Sequence, residues 1–314
     1  MTARLVMRLR VDDVQASTPD VSMFTFRHPK RMYLPGFTAG AHVDLRLPDG
    51  RIRQYSLCGD PADTTAYRIA IKREDDGRGA SRWAHGALTP GALALVSAPR
   101  NNFPLAPGAD RHVLIAGGIG VTPFLAMAQQ LRREDADYVL HLCARSSQAP
   151  VLAELRAVCG DRLVTHFTDD PASTRFDPGS LGDSVPGTHI YCCGPQRLTD
   201  AVRAATAHWP EAQVHFEVFQ ATLDENFKAE PFDVTLASSG ETLRVPADRS
   251  ALDVLRAHGL VLPSSCELGV CGACECGYRG GVVIHRDSVL GTGARQDRMM
   301  LCVSRARVAV TLDL

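Results

Sequence analysis

Four cysteines towards the C-terminal end constrain this chain more than any other feature: Cys266, Cys271, Cys274 and Cys302. They read C-x4-C-x2-C, and 27 residues then separate the third from the fourth. That is the ligand spacing of a plant-type [2Fe–2S] cluster. Three thiolates from one tight loop can wrap a small cluster only if the backbone turns sharply and comes close to the sulfides. Gly269 and Gly272 sit where such turns are needed, because glycine tolerates positive φ and adds no bulk. The fourth ligand must come from a remote segment folded back over the loop. A zinc site usually presents two close Cys or His pairs, and only one close pair stands here beside Cys302. Zinc and simple buried thiols are the rival readings of the same cysteines.

At 314 residues the chain is long enough for two or three domains. A formal charge of −1 gives no electrostatic argument for binding nucleic acid or an anionic membrane. The first ten residues alternate charged and apolar positions and lack the apolar core of a signal peptide. No apolar run approaches the length of a membrane span. Ten cysteines without a secretory signal are expected to stay reduced, which places the protein in the cytoplasm.

Three segments succeed one another, at 1–105, 106–226 and 230–314. The first has strand periodicity at 21–26, 42–47, 53–57 and 67–72, with Pro/Gly turns between, and is expected to form an antiparallel β-barrel. The second alternates strands (112–116, 138–143, 163–168, 189–193, 214–218) with helices (123–133, 149–159, 196–208). That alternation predicts a parallel α/β sheet. A polar linker at 221–230 leads to a hairpin, 233–237 with 242–245, and a helix at 251–258. Ser250 and Asp253 form a capping-box pattern there, and Gly259 provides the stop.

Several motifs could hold ligands. Arg53-Gln54-Tyr55-Ser56-Leu57 lies on a predicted strand, where Arg53 and Tyr55 share a face, as a flat ring with a phosphate would need. Gly77-Arg78-Gly79-Ala80-Ser81 precedes a short helix at 82–85, and exposed amides beside a guanidinium make an anion site. A surface strand and a surface turn are the plain alternatives. Gly117-Gly118-Ile119-Gly120-Val121-Thr122-Pro123 joins a strand to a helix, with Thr122 as the expected N-cap. It lacks the third glycine of the dinucleotide fingerprint. Cys193-Gly194-Pro195 ends a later strand at the carboxyl edge, where such sheets bind ligands. Cys193 also reads as a small buried strand residue.

In this order the motifs, together with Tyr191-Cys192-Cys193-Gly194-Pro195 and His215-Phe216-Glu217-Val218-Phe219, resemble the phthalate dioxygenase reductase family, which includes the reductase components of vanillate-type O-demethylases. The resemblance covers essentially the whole chain. It implies a multidomain fold: an FMN-binding antiparallel β-barrel, an α/β nicotinamide domain, and an α+β plant-type ferredoxin domain of β-grasp form. It further implies that Arg53 meets the FMN phosphate, Tyr55 lies along the isoalloxazine, and Ser56 sits near flavin N5. Gln54 belongs to the same flavin motif. Ile71 and Lys72 would border the flavin, and Arg78, Gly79, Ala80 and Ser81 would enclose the phosphate. Gly118, Gly120 and Thr122 would face the dinucleotide, with Cys193 and Gly194 near its ring and Phe219 packed where nicotinamide enters. After the second strand of the sheet the chain has Ala144-Arg145-Ser146-Ser147. An acid would suit a ribose hydroxyl, whereas Arg145 with serine can accommodate a 2′-phosphate. NADH is the expected donor on family grounds, and NADPH stays open.

Electron counts complete the reading. Nicotinamide gives up two electrons as a hydride, a [2Fe–2S] cluster accepts one, and a flavin can take two and release them singly. Ser56, Cys193 and Phe219 would act by positioning. A plant-type cluster near about −400 mV can feed a Rieske centre, which lies higher. The expected acceptor is a Rieske-type oxygenase acting on an aromatic acid or aryl ether. A haem or di-iron monooxygenase is the alternative acceptor, and a non-catalytic redox sensor the alternative class.

Overall fold

The computed structural model describes residues 5–77, 79–146, 149–219 and 227–314. Arg78, Ser147 and most of the predicted linker lie outside them. The chain divides into two compact units, Met1–Glu217 and Val218–Leu314.

The first unit begins with β1 (Val6–Thr18), in which buried Met7, Leu9 and Val11 alternate with exposed Arg8 and Arg10. The N-terminal alternation of charged and apolar positions is thus a strand's period of two. Then come β2 (Val21–Arg27), β3 (Ala41–Arg46), β4 (Ile52–Ser56), β5 (Tyr67–Lys72), α1 (Ala80–Ala87), β6 (Leu93–Ser97) and the short β7 (Arg100–Asn101). The sheet order is β4-β3-β6-β1-β2-β5, with β7 beside β3. A bridge between Leu57 and Ile69, and a bond from Cys58 N to Arg68 O at 2.9 Å, join the two edges and close the barrel. Leu9, Phe24, Phe26, Leu45, Tyr67 and Ile71 fill it.

The parallel sheet consists of β8 (Arg111–Gly117), β9 (Asp137–Ala144), β10 (Leu163–Phe167), β11 (Thr188–Cys193) and β12 (Val214–Glu217), with α2 (Thr122–Arg133), α3 (Leu152–Cys159) and α4 (Gln196–Ala205) between strands. Its order, β10-β9-β8-β11-β12, reverses between β8 and β11. Ligands bind in such sheets at the carboxyl ends flanking that reversal. Helix α2 is buried along most of its length because it lies between sheet and barrel, where Met127 and Phe124 share one core with Met23 and Cys58. Arg68 on β5 grips Glu154 on α3 with two bonds of 2.9 Å, and Ser17 Oγ accepts from Val151 N at 2.8 Å. Val151 is left-handed (φ 52°), so α3 starts three residues later than the predicted helix at 149. The helix predicted at 196–208 ends at Ala205.

The second unit has β13 (Phe232–Leu236), β14 (Thr242–Val245), α5 (Ala251–Ala257), β15 (Glu275–Ile284), β16 (Arg298–Met300) and β17 (Arg305–Leu312). The predicted hairpin is present, and both halves of the Ser250/Asp253 capping box form. The strand order is β14-β13-β17-β15-β16, with β13 and β17 parallel, giving a mixed β-grasp sheet with one helix packed on it. Among the described residues no helix is long and apolar enough to cross a membrane.

Candidate redox sites

The carboxyl ends of β8 and β11 meet through glycine. A Cβ at Gly120 would fall 2.4 Å from Cys193 O, and one at Gly117 would fall 2.5 Å from Pro195 Cδ. Only glycine lets the two loops touch, so close packing accounts for these positions before any ligand is considered. Gly118 differs: its backbone is left-handed (φ 53°) and its Cα faces open space. Gly194 packs against Gly117. The expected N-cap role of Thr122 is not observed. A 3-10 turn, Gly118–Val121, runs directly into α2, and the buried Thr122 hydroxyl instead donates to Ile119 O at 3.1 Å. Pro123 lies in the first turn as expected.

Parallel pairing sets Cys193 opposite Glu217. From the barrel, the Ser56 hydroxyl donates to Glu217 Oε2 at 3.3 Å. Three polar groups thus converge where the end of β4 meets the sheet edge. Removal from water pushes the Glu217 carboxyl up to about 8, with the Ser56 bond pulling the other way, so the acid holds its proton at neutral pH. Burial, then the Glu217 and Cys192 charges, push the Cys193 thiol well above its ordinary value. Cys193 therefore stays a neutral thiol. The 215–219 motif by itself gives Glu217 no role; alternation along β12, which sets it on the face of His215, is the signal that marks it. Phe219 follows β12 and is 38% exposed.

The flavin candidates fall into two groups. Arg53 Nη1 donates to Ile52 O at 2.7 Å, and burial pushes the Tyr55 hydroxyl up to about 12. Gln54 donates to Asp44 at 3.3 Å, and Asp44 also takes two bonds from Arg100 at 2.9 and 2.7 Å, so Gln54 serves the barrel wall. Ile71 turns its side chain into the barrel core and its carbonyl meets the His85 ring Nε2 at 2.9 Å, while Lys72 pairs with Glu74 at 2.8 Å. Helix α1 begins two residues before the predicted helix at 82. Left-handed Gly79 is its N-cap, and Ala80 and Ser81 lie in a first turn free of acidic side chains, as an anion site requires. Ser81 Oγ accepts from Glu74 N at 3.0 Å.

At the far end of the sheet Arg145 is exposed beside Ser146. No acid stands at 145–148 in the sequence. The fold supplies one from the neighbouring strand's loop: Asp169 accepts from Ser146 N at 2.7 Å and from Ser146 Oγ at 3.0 Å. The backbone bond from Ser146, with the Arg145 charge among the lesser causes, holds its carboxyl below the usual range.

In the second unit the 266–274 loop turns at left-handed Gly269, where a Cβ would fall 2.6 Å from Val303 Cγ2. Leu268 N donates to Cys266 Sγ at 3.3 Å and Ala273 N to Cys271 Sγ at 3.4 Å, as amides do around thiolates. The four cysteines come together as two pairs. Within each pair a shared hydrogen bond draws one thiol down and pushes the other up, Cys266 against Cys271 and Cys274 against Cys302. Two thiols per iron is what a two-iron cluster needs. Cys276 instead points into the sheet core and donates to Gly277 O at 3.3 Å.

Comparison with known proteins agrees with this arrangement. A profile described as "2Fe-2S iron-sulfur cluster binding domain" matches 234–307, and one described as "dimethylamine monooxygenase subunit DmmA-like, N-terminal domain" matches 96–214. Phthalate dioxygenase reductase of Burkholderia cepacia is 40% identical, over 98% of this chain and 97% of the relative. The chain belongs to the phthalate dioxygenase reductase family. A crystal structure titled as phthalate dioxygenase reductase, a modular structure for electron transfer from pyridine nucleotides to [2Fe–2S], matches 98% of both chains with a TM-score of 0.73 and 40% identity. The β subunit of a haem-dependent oxidative N-demethylase from Ectopseudomonas mendocina (strain ymp) is 42% identical over 96% of each chain. As a phthalate dioxygenase reductase relative, the chain is an NAD(P)H-dependent flavin and iron–sulfur oxidoreductase. FMN, NADH and a [2Fe–2S] cluster are the cofactors of this type of reductase. The paired cysteines and the polar convergence at β4, β11 and β12 are the parts of this chain that fit them.

Proposed function

We propose that the chain is the reductase component of a two-component Rieske-type oxygenase and works in the cytoplasm. When bound, FMN supplies the exchange between hydride and single-electron chemistry. The residues of this chain position and shield. We assign Arg53 and the start of α1, from Gly79 to Ser81, to the FMN phosphate, and Tyr55 to the ring. Gly118 and the Cys193-Gly194 edge take the dinucleotide, and Phe219 covers the place where nicotinamide enters. Cys193 and Glu217, both neutral at pH 7, add no charge where hydride passes, and Ser56 orients the carboxyl. The meeting of Ser56, Cys193 and Glu217 carries the reading, because it joins the barrel motif to the sheet motif at one point. Cys266, Cys271, Cys274 and Cys302 hold the cluster. The proposed boundaries are 1–105, 106–226 and 230–314.

A second acceptor is supported by the haem-dependent N-demethylase subunit and by the DmmA-like profile, both from systems other than a Rieske dioxygenase. The two readings separate in one assay. The reductase, with NADH, is mixed in turn with a phthalate-type Rieske oxygenase component and with the other subunit of a haem-dependent N-demethylase, and reduction of each acceptor is timed. Faster reduction of the Rieske centre is expected. Rapid reduction of haem alone would overturn the Rieske assignment and leave the reductase assignment standing.

A further inference from the structure

A fully buried carboxyl group stands behind the cysteine loop of the second unit. The Asp287 side chain has 0% exposure. Its Oδ2 accepts from Val289 N at 3.2 Å and Leu290 N at 2.9 Å, and its Oδ1 from the Ser304 hydroxyl at 3.4 Å. Donors face it from these three residues, as an ionised carboxylate, which only accepts, requires. The cationic side chains are set further back. Arg295 Nη2 lies 3.8 Å from Oδ2 and donates instead to the Asp287 main-chain carbonyl at 2.8 Å, and the His285 ring lies 3.6 Å from Oδ1.

Asp287 reaches both arms that carry cysteines. Ser288 N donates to Gly269 O at 3.1 Å, and a Cβ at Gly269 would fall 3.2 Å from Asp287 Cα. Gly269 lies between Cys266 and Cys271, and Ser304 lies two residues beyond Cys302. We propose that Asp287 fixes a negative charge beside the cluster held by Cys266, Cys271, Cys274 and Cys302, and so keeps its reduction potential low. Reduction adds negative charge to a centre that four thiolates already make negative. A fixed anion in a poorly screened interior opposes that step, and a nearby cation favours it. Arg295 therefore acts in the opposite sense. A low potential keeps the cluster a donor to its acceptor. The proposal rests on the reading of the four cysteines as cluster ligands.

The test is a mediated redox titration of the holoenzyme, following the reduced cluster by EPR and its content by visible absorption. At the potential that half-reduces the wild-type cluster, Asp287→Asn should raise the ratio of reduced to oxidised cluster about tenfold, equivalent to ~59 mV for a one-electron couple. Arg295→Met should lower that ratio. An Asp287→Asn protein with full cluster content and an unmoved ratio overturns the proposal. If asparagine prevents cluster retention, Arg295→Met decides alone, and an unmoved ratio there overturns it. Absence of a cluster from wild-type protein would instead refute the ligand reading beneath it.

Discussion

The Ser56 hydroxyl meets the Glu217 carboxyl at 3.3 Å although 161 residues of sequence separate them. One belongs to the barrel and the other to the last strand of the parallel sheet, so the bond reports how the two halves of the unit are set. Glu217→Gln keeps the shape and removes the acid. Reduction of bound FMN by NADH is expected to slow roughly tenfold, about 1.4 kcal/mol of barrier, in stopped-flow absorption. Ser56→Ala should slow it similarly, and the double variant should add little, because the two act as a unit. Additive losses would show that they act separately.

The same carboxyl predicts a pH signature. Its folded value of about 8 lies above the ordinary 4.5, so the native state keeps a proton that the unfolded chain releases between those values. Stability therefore falls as pH climbs through that window and levels off above about 8. Glu217→Gln abolishes this term. The melting temperature of the variant, relative to wild type, should rise between pH 5 and pH 9. A constant difference across that range would place the carboxyl in a more watery setting than the structure gives it.

Cysteine substitutions should divide cleanly. Serine at Cys266, Cys271, Cys274 or Cys302 should lose or destabilise the cluster, seen as reduced iron content and visible absorption. Cys276→Ser should keep the cluster, since its thiol bonds to Gly277 O in the core. Loss with Cys276→Ser and retention with Cys274→Ser would reverse the ligand assignment.

Nucleotide choice should lie with Asp169 and Arg145. Asp169→Ser removes the carboxylate that Ser146 holds, and the ratio of kcat/KM for NADPH over NADH should rise about tenfold, near 1.4 kcal/mol. Arg145→Ala should lower the NADPH rate more than the NADH rate. Equal losses with both nucleotides would mean that Arg145 does not read the 2′ position.

Cutting the chain near Ala229 removes every cluster ligand and spares the unit that ends at Glu217. This truncate should bind FMN, bleach with NADH at a rate comparable to the full chain, and reduce ferricyanide. Coupled oxygenation should collapse. A folded, FMN-bound truncate that sustained full oxygenase turnover would take the cluster off the electron path.

Spacing-based signals were legible without a structure. The cysteine loop, the Ser250 capping box and the glycine turn after β8 depend on residues close in sequence, and each stands where it was expected, apart from the shift of the helix start at Thr122. What escaped depends on which strands become neighbours. Asp169 serves Ser146 because β9 and β10 pair, and Glu217 reaches Cys193 because β11 and β12 pair. The Arg68 and Glu154 contact needs barrel and sheet already docked. Val151 bends α3 away from its predicted start through a left-handed backbone that no valine advertises.

The ferredoxin sheet is built in an order that its chain does not follow. β17, the last of its strands in sequence, lies at the centre between β13 and β15. The earlier strands cannot close a sheet as they leave the ribosome; they wait for their middle. Such long-range pairing is slow to form. Until β17 is seated, Cys302 just before it has no fixed place, and Cys266, Cys271 and Cys274 stand as three thiols without their partner. Maturation of the metal centre is thereby tied to completion of this unit, while the first unit can fold ahead of it. Cells making the protein faster than they supply iron and sulfide should accumulate a yellow flavoprotein with an unfinished C-terminal half.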